Sequence, residues 1–371
     1  MRPVPGLPGR SLANAAPGTA FFMAWTEAGL FNRIASFENL LLAERRARRG
    51  KGRRGDVLAF WLDCERELLN LKNELLSLAY RPGGYRQFTA HESKDRLISA
   101  APYRDRVVHH ALMNVIGPVL ERSFIFDSYA NRKGKGTHRA LVRCSRFCRA
   151  SRYVLKCDIA EYFGSVDHDI LSAQLRRRIA DEGTLWLTEA IVRAAPGGKG
   201  LPIGNLTSQC FANVYLDGFD HFVKEDLRCR RYLRYVDDFA VFSDDERWLH
   251  GIRRLMDRYL RERLKLRLHP RKTRIFPVAE GVGFLGFRIF PTYRLLRKAS
   301  GYHYRRSLFR LARAHREGRV TDGAVRDSFR SWTAHASWGG TFGLRKAIVE
   351  EVRQRGVSLD PAGLKHGPGR R

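Results

Sequence analysis

The chain has 371 residues, 44% of them hydrophobic, with 22 Phe and 13 Tyr. That is enough apolar material for two or three packed subdomains, and it excludes a disordered chain. Lys and Arg number 68 against 38 Asp and Glu, a formal net charge of +30. Such a field is self-repulsive unless a polyanion neutralises it, so nucleic acid is the expected partner. No run of 18 apolar residues occurs, which argues against a transmembrane helix and a membrane partner. The six cysteines are scattered, and Cys144 and Cys148 have no second ligand pair nearby. That pattern argues against zinc and points to a reduced, cytoplasmic setting.

Residues 1–19 are rich in Pro, Gly and Ala and read as a flexible arm. Seven of the ten residues from Arg45 to Arg54 are basic: Arg45, Arg46, Arg48, Arg49, Lys51, Arg53 and Arg54. Gly50 and Gly52 interrupt the run, so it reads as a basic loop suited to phosphate contact. Periodicity over 57–79 predicts one amphipathic helix with Leu58, Trp61, Leu62, Leu68, Leu75 and Leu76 on its apolar side. Residues 85–100 read as strand and turn and carry Lys94 and Arg96. A helix from Val107 should stop or kink at Gly117-Pro118. Asn131-Arg132-Lys133-Gly134-Lys135-Gly136 is a glycine-rich basic turn suited to phosphate, although it lacks Walker spacing.

Tyr153 to Ile159 has the composition of a buried strand with Asp158 near its end, a poor structural choice and a good ligand choice. Asp167 and Asp169 read as helix caps rather than catalytic groups. The loop Gly197 to Gly204 feeds a helix over about 208–227, with Phe211, Val214, Tyr215, Phe219 and Phe222 inward. Then Arg231-Tyr-Leu-Arg-Tyr-Val-Asp-Asp-Phe-Ala-Val-Phe242 sets Asp237 and Asp238 between two β-forming runs, the pattern of a tight hairpin. Adjacent acids in an apolar hairpin are costly unless a cation sits there; an ordinary polar turn is the bland alternative. A helix over 246–264 and a hairpin over 282–290 follow. Beyond Pro291 the chain holds 18 Lys and Arg against 6 Asp and Glu, with helical patterning over 302–318 and 324–354. It reads as a small basic helical subdomain.

If the strands of Asp158 and Asp237 are neighbours, three carboxylates converge. Two Mg²⁺ ions about 3.5–4 Å apart would need such a cluster for in-line phosphoryl transfer. Lys94, Arg96 and Lys272 could neutralise a triphosphate.

These residues resemble those of a reverse transcriptase. Tyr235-Val-Asp-Asp238 resembles the family's YxDD motif, and Asp158 with Phe163 five residues on resembles its first catalytic motif. Arg96, Arg104-Asp-Arg106 and Asp127-Ser-Tyr-Ala-Asn-Arg132 resemble finger motifs. Leu268-His-Pro-Arg-Lys-Thr273 and Gly283-Phe-Leu-Gly-Phe287 resemble the palm motifs beyond YxDD. The match spans about residues 85–290 in the family's order. One departure narrows it: where most members carry Gln-Gly-x-x-x-Ser-Pro, this chain has Ile203-Gly-Asn-Leu-Thr-Ser-Gln209. That pattern is similar to the enzymes of diversity-generating retroelements, which copy a template RNA with frequent errors at adenines. No segment resembles the maturase or endonuclease extension of group II intron proteins.

The resemblance implies an α+β right-hand polymerase, with fingers from 20–150 and again 165–205, a palm over 151–290 and a helical basic thumb over 291–371. It implies RNA-directed DNA synthesis with Asp158, Asp237 and Asp238 as catalytic metal ligands for two Mg²⁺, with Mn²⁺ as a substitute. Lys94, Arg96, Phe163, Ile203, Gly204, Gln209 and Lys272 would meet the dNTP, with Phe163 as the gate against a ribose 2′-OH. Arg45, Arg46, Arg48, Arg49, Arg53, Arg54, Arg132, Lys133, Lys135 and Tyr235 would meet template RNA and the RNA–DNA duplex. A small basic accessory protein is an expected partner. A retron or phage-defence reverse transcriptase, and a non-catalytic RNA-binding relative, are the alternatives.

Overall fold

The computed structural model describes residues 29–91, 95–195 and 197–357. The expected N-terminal arm and Lys94 lie outside them. The elements run α1 (Leu30–Ala35), α2 (Phe37–Arg48), α3 (Gly55–Leu62), α4 (Cys64–Leu76), β1 (Arg86–His91), β2 (Asp95–Ala100), α5 (Tyr103–Glu121), α6 (Thr137–Arg149) and β3 (Tyr153–Asp158). Then come α7 (Tyr162–Ser165), α8 (His168–Arg176), α9 (Glu182–Arg193), α10 (Leu206–His221) with a π turn over Phe222–Asp226, β4 (Tyr232–Tyr235), β5 (Asp238–Ser243) and α11 (Glu246–Leu264). The rest is β6 (Arg274–Pro277), β7 (Val282–Phe284), β8 (Phe287–Ile289), β9 (Arg294–Leu296), α12 (Lys298–Arg316), α13 (Asp322–Ala336) and α14 (Phe342–Arg353).

Among the described residues three sheets form: β1-β2, β4-β5-β3-β6 and β7-β8-β9. β3 runs antiparallel to β6, pairing Tyr153 with Pro277 through Lys156 with Arg274. The chain divides into two compact units. Of the described residues, one contains those up to Gly134, those of 157–239 and Gly251–Thr273; the other contains Lys135–Lys156, Ala240–His250 and those from Arg274 on.

The first unit is built around α5, whose Val107, Val108, Ala111, Leu112 and Ile116 are fully buried. In the second, Leu308, Ala312, Val325, Phe329, Ile348 and Val352 form the core of α12–α14, and Tyr304 stacks on Trp332 at 4.2 Å.

Several local expectations change. The helix predicted over 57–79 breaks at Asp63 (φ −125°, ψ 37°). Periodicity restarts there: Val57, Phe60, Leu68, Leu71 and Leu75 are buried, while Leu58, Trp61, Leu62 and Leu76 are exposed. The basic run is not all loop, since α2 extends through Arg48 and puts Arg45, Arg46 and Arg48 in its last turns. Those cations suit the negative end of a helix. α5 continues through Pro118 to Glu121, its buried apolar side outweighing the amide hydrogen bond that proline cannot donate. The long helical pattern after 324 divides into α13 and α14 around Gly339-Gly340.

Candidate active site

β3 carries Asp158 to its end, and main-chain bonds then fix the acid's surroundings. The Ile159 N–H donates to the Asp237 carbonyl at 3.2 Å, and the His269 N–H donates to the Asp158 carbonyl at 2.7 Å. The backbones of two predicted acids therefore lie side by side, with segment 267–269 on the other flank. Lys272 Nζ stands 2.6 Å from Asp158 Oδ1. The turn held by Lys272 and Thr273 N–H bonds to the His269 carbonyl curls the ammonium back onto the acid.

Asp237 and Asp238 sit at the β4–β5 turn, half-buried. The loop between the strands is only Val236 and Asp237. Val236 has φ +57°, and Asp237 is not among the positive-φ residues. Positive φ at the first loop position alone is the pattern of a type II′ turn, which usually takes Gly there. A β-branched residue in this region is strained.

Beneath the turn lies a group the sequence reading missed. Arg234 is fully buried. Its Nε lies 2.8 Å from Asp220 Oδ1 and its Nη2 lies 2.6 Å from Asp220 Oδ2. Its Nη1 donates to Asn213 Oδ1 at 3.1 Å and to the Val236 carbonyl at 2.9 Å. Tyr232 Oη also donates to Asp220 Oδ1, at 2.6 Å. Burial works against the Arg234 charge, but the Asp220 carboxylate outweighs it and holds the guanidinium above its ordinary pKa. The available signal was period two: Tyr232 and Arg234 face the same side of β4, toward an acid on α10.

Main-chain bonds tie together three of the segments expected around a nucleotide. Leu201 N–H donates to the Phe163 carbonyl at 2.7 Å, and Gly200 N–H to the Val166 carbonyl at 2.8 Å. These bonds zip the 200–204 loop to α7. The Ser99 N–H of β2 donates to the Ile203 carbonyl at 3.0 Å. Gly204 has φ +117°, and a Cβ there would come within 3.0 Å of Ile98, so the loop needs glycine to lie against β2. β2 carries Arg96, exposed. Phe163 is half-buried, edge-on to Tyr162 at 5.6 Å. Ile203 is half-buried and Gln209 is exposed in the first turn of α10. Asp167 caps α8 as expected, accepting from the Asp169 and Ile170 N–H groups, and pairs with Lys265, whose hydrogen bond lowers the Asp167 pKa.

Among the predicted basic contacts, Arg45, Arg46, Arg49, Arg53, Arg54 and Lys133 are exposed. Burial, then repulsion from Arg106, lowers the Lys51 pKa. Burial followed by Lys51 and Arg46 pushes His110 down to about 4. Arg48 and Arg132 are half-buried. Arg48 Nε pairs at 2.9 Å with the buried Glu44. Arg132 donates to the Ile125 and Ser128 carbonyls at 2.7 and 2.9 Å and lies over Phe124. Both guanidiniums hold their own unit together. Lys135 and Tyr235 are half-buried.

Asp158, Asp237 and Asp238 offer carboxylate oxygens, the hard donors that suit Mg²⁺ or Mn²⁺. Among the described residues no three His, Cys, Asp or Glu side chains are gathered about one point, and Lys272 holds one Asp158 oxygen. The fit is one of donor type and backbone adjacency.

The profile of the reverse transcriptase (RNA-dependent DNA polymerase) family matches residues 88–289, more than half of the chain. The chain belongs to that family. It is an RNA-directed DNA polymerase, a nucleotidyltransferase whose family takes an RNA template, dNTPs and divalent metal ions. Protein YkfC of Escherichia coli is 28% identical over 285 residues, covering 64% of this chain and 73% of YkfC. The group II intron-encoded protein LtrA of Lactococcus lactis is 24% identical over 141 residues, 35% of this chain but only 23% of LtrA. The Sicinivirus 3Dpol RNA dependent RNA polymerase superposes with a TM-score of 0.52 over 78% of this chain and 68% of its own, at 12% identity. That likeness concerns the fold alone: an α+β right-hand polymerase fold. No helix among the described residues is long and apolar enough to cross a membrane.

Proposed function

We propose that this reverse transcriptase makes cDNA with frequent errors at template adenines, as the polymerase of a diversity-generating retroelement. The observation that carries this reading is the hydrocarbon at Ile203, in a loop whose backbone is fastened to β2 through Ser99. The resemblance puts a Gln there in most family members, against the sugar and base of the incoming nucleotide. Ile203 cannot make those hydrogen bonds. Discrimination depends on polar groups that tighten only around a correct pair, so the loop keeps its shape and loses a check.

In this proposal Asp158, Asp237 and Asp238 hold two Mg²⁺ ions, which supply charge neutralisation and a lowered pKa at the primer 3′-hydroxyl. Lys272 shields Asp158 in the free enzyme and yields that oxygen on loading. Arg96 faces the triphosphate, Gly204 lets the loop approach, Gln209 flanks it, and the Phe163 ring excludes a ribose 2′-OH. Arg45, Arg46, Arg49, Arg53, Arg54, Lys133 and Lys135 hold template and duplex phosphates, whose contacts weaken with salt. Fingers over 20–150 and 165–205, a palm over 151–290 and a thumb over 291–371 complete the assignment, with a small basic accessory protein and a cytoplasmic site of action.

A second reading, a reverse transcriptase of another bacterial lineage, is favoured by the likeness to LtrA. Sequencing cDNA made on a defined RNA separates them. Adenine errors should dominate for the wild type and fall about five- to tenfold for Ile203→Gln, the ratio for a hydrogen bond of about 1–1.4 kcal/mol. Wild-type errors spread evenly over the four template bases would reject the retroelement reading. Adenine errors unchanged by Ile203→Gln would reject the role of Ile203.

A further inference from the structure

We infer that Arg234 is a positioning residue: through the Val236 carbonyl it holds the strained turn that presents Asp237. The inference rests on the reading of Asp237 as a metal-holding acid and adds the device that keeps it in place. A buried ion pair is a weak way to stabilise a fold, because apolar side chains of equal volume generally do as well or better. Stability alone therefore does not account for a fully buried Arg234 with Asp220 and Tyr232 arranged around it.

Hydrocarbon could not provide the 2.9 Å donation from Nη1 to the Val236 carbonyl. Val236 is the β-branched residue at positive φ directly before Asp237, so this bond acts on a strained peptide of the site. The other end of the guanidinium is anchored on α10 by two oxygens of Asp220. The main chain is fixed as well: Arg234 N–H donates to the Asp127 carbonyl and its carbonyl accepts from Tyr129, both at 3.0 Å. Asn213, which also receives Nη1, donates to the Ala130 carbonyl at 2.9 Å. The fork spans from helix to turn with a rigid base.

Two variants separate positioning from packing. Arg234→Lys keeps a charge beside Asp220, but one compact ammonium lacks the planar fork that serves both Asp220 and the turn. The triple variant Asp220→Leu, Tyr232→Phe, Arg234→Met removes the network and leaves hydrocarbon. The first readout is amide exchange in the free protein. Ile159 N–H is bonded to the hairpin at Asp237, whereas its neighbour Ala160 is bonded to Arg267.

We expect Ile159 to exchange at least about tenfold faster in both variants while Ala160 keeps its protection. In primer extension kcat should fall about ten- to a hundredfold, the usual range for outer-shell partners of a metal site. KM for dNTP should stay nearly unchanged and the Mg²⁺ concentration for half-maximal rate should rise. Unchanged Ile159 exchange in a folded variant overturns the inference, as does faster exchange with wild-type kcat. Joint loss of Ile159 and Ala160 protection in both variants also overturns it, assigning Arg234 to the core. Should the wild type itself not extend a primer, that failure belongs to the polymerase reading, and exchange alone decides whether Arg234 holds the turn.

Discussion

Among the described residues two hairpins have two-residue loops, and they solve the same problem differently. Between β7 and β8 the loop is Leu285-Gly286, with φ +49° and +84°. Positive φ at both positions is the type I′ pattern, whose twist suits the strands and whose second position takes Gly without strain. Between β4 and β5 the loop is Val236-Asp237, with positive φ only at Val236. Glycine is absent from that loop. The first turn spares its second position with Gly286, although Leu285 carries a positive φ at the first. The second carries an acid where a good turn former would stand, and a buried ion pair from α10 reaches its carbonyl. One turn has glycine at one of its two loop positions; the other has none, and it draws on support distant in sequence.

The sharpest break in the comparison is Asp237→Ala. Metal-based stabilisation of a transition state is worth several kcal/mol, so primer extension on RNA with Mg²⁺ should drop by about a thousandfold or more. The fold should survive, because the substitution removes a half-buried charge at a turn. Extension within tenfold of wild type would remove Asp237 from the catalytic set.

Val236→Gly sharpens the contrast from the other side. Releasing a β-branched residue from the left-handed region recovers about 1–2 kcal/mol, against about 0.5–1 kcal/mol of added chain entropy for Gly. The thermal midpoint should hold or rise by a degree or two, while the extension rate falls about three- to tenfold as the turn loosens around Asp237. A midpoint that drops together with the rate would mean that the Val236 side chain packs the site rather than straining it.

How far these features could be read in the sequence follows the same division. Asp158, Asp237 and Asp238 stood out because acids interrupt apolar strands, and α11 was read with its observed bounds because nineteen residues keep one helical period. The fold class followed from motifs in order. Arg234 did not stand out: in a chain with 68 Lys and Arg, one more cation in a strand looks like surface until its α10 partner is known. Asp217 and Asp220, both fully buried, lie in a helical pattern that does not mark their cationic partners. Charge and motif single out Lys272, and only the curled turn shows that it faces Asp158. β6 and β9, at four and three residues, are too short for periodicity to register. The break at Asp63 resets the helical phase, which is why four apolar residues assigned to the buried side of one long helix are exposed.

The mildest expected effect is at the β7–β8 hairpin. In Gly286→Ala the new Cβ would meet nothing closer than 3.7 Å, at His335 Nε2, an ordinary contact, so only the backbone matters. Holding alanine at a φ near +84° costs about 1 kcal/mol. In a chain of this size that is a fall of about 2 °C in thermal midpoint, measurable by calorimetry. Because the Arg297 N–H bond to the Gly286 carbonyl involves only main chain, it should persist, and primer extension should stay within about twofold of wild type. If Gly286→Ala lowered extension as much as Val236→Gly does, the two turns would not differ in kind. The strain at Val236 would then be an ordinary feature of two-residue loops in this fold rather than one tied to the acid beside it.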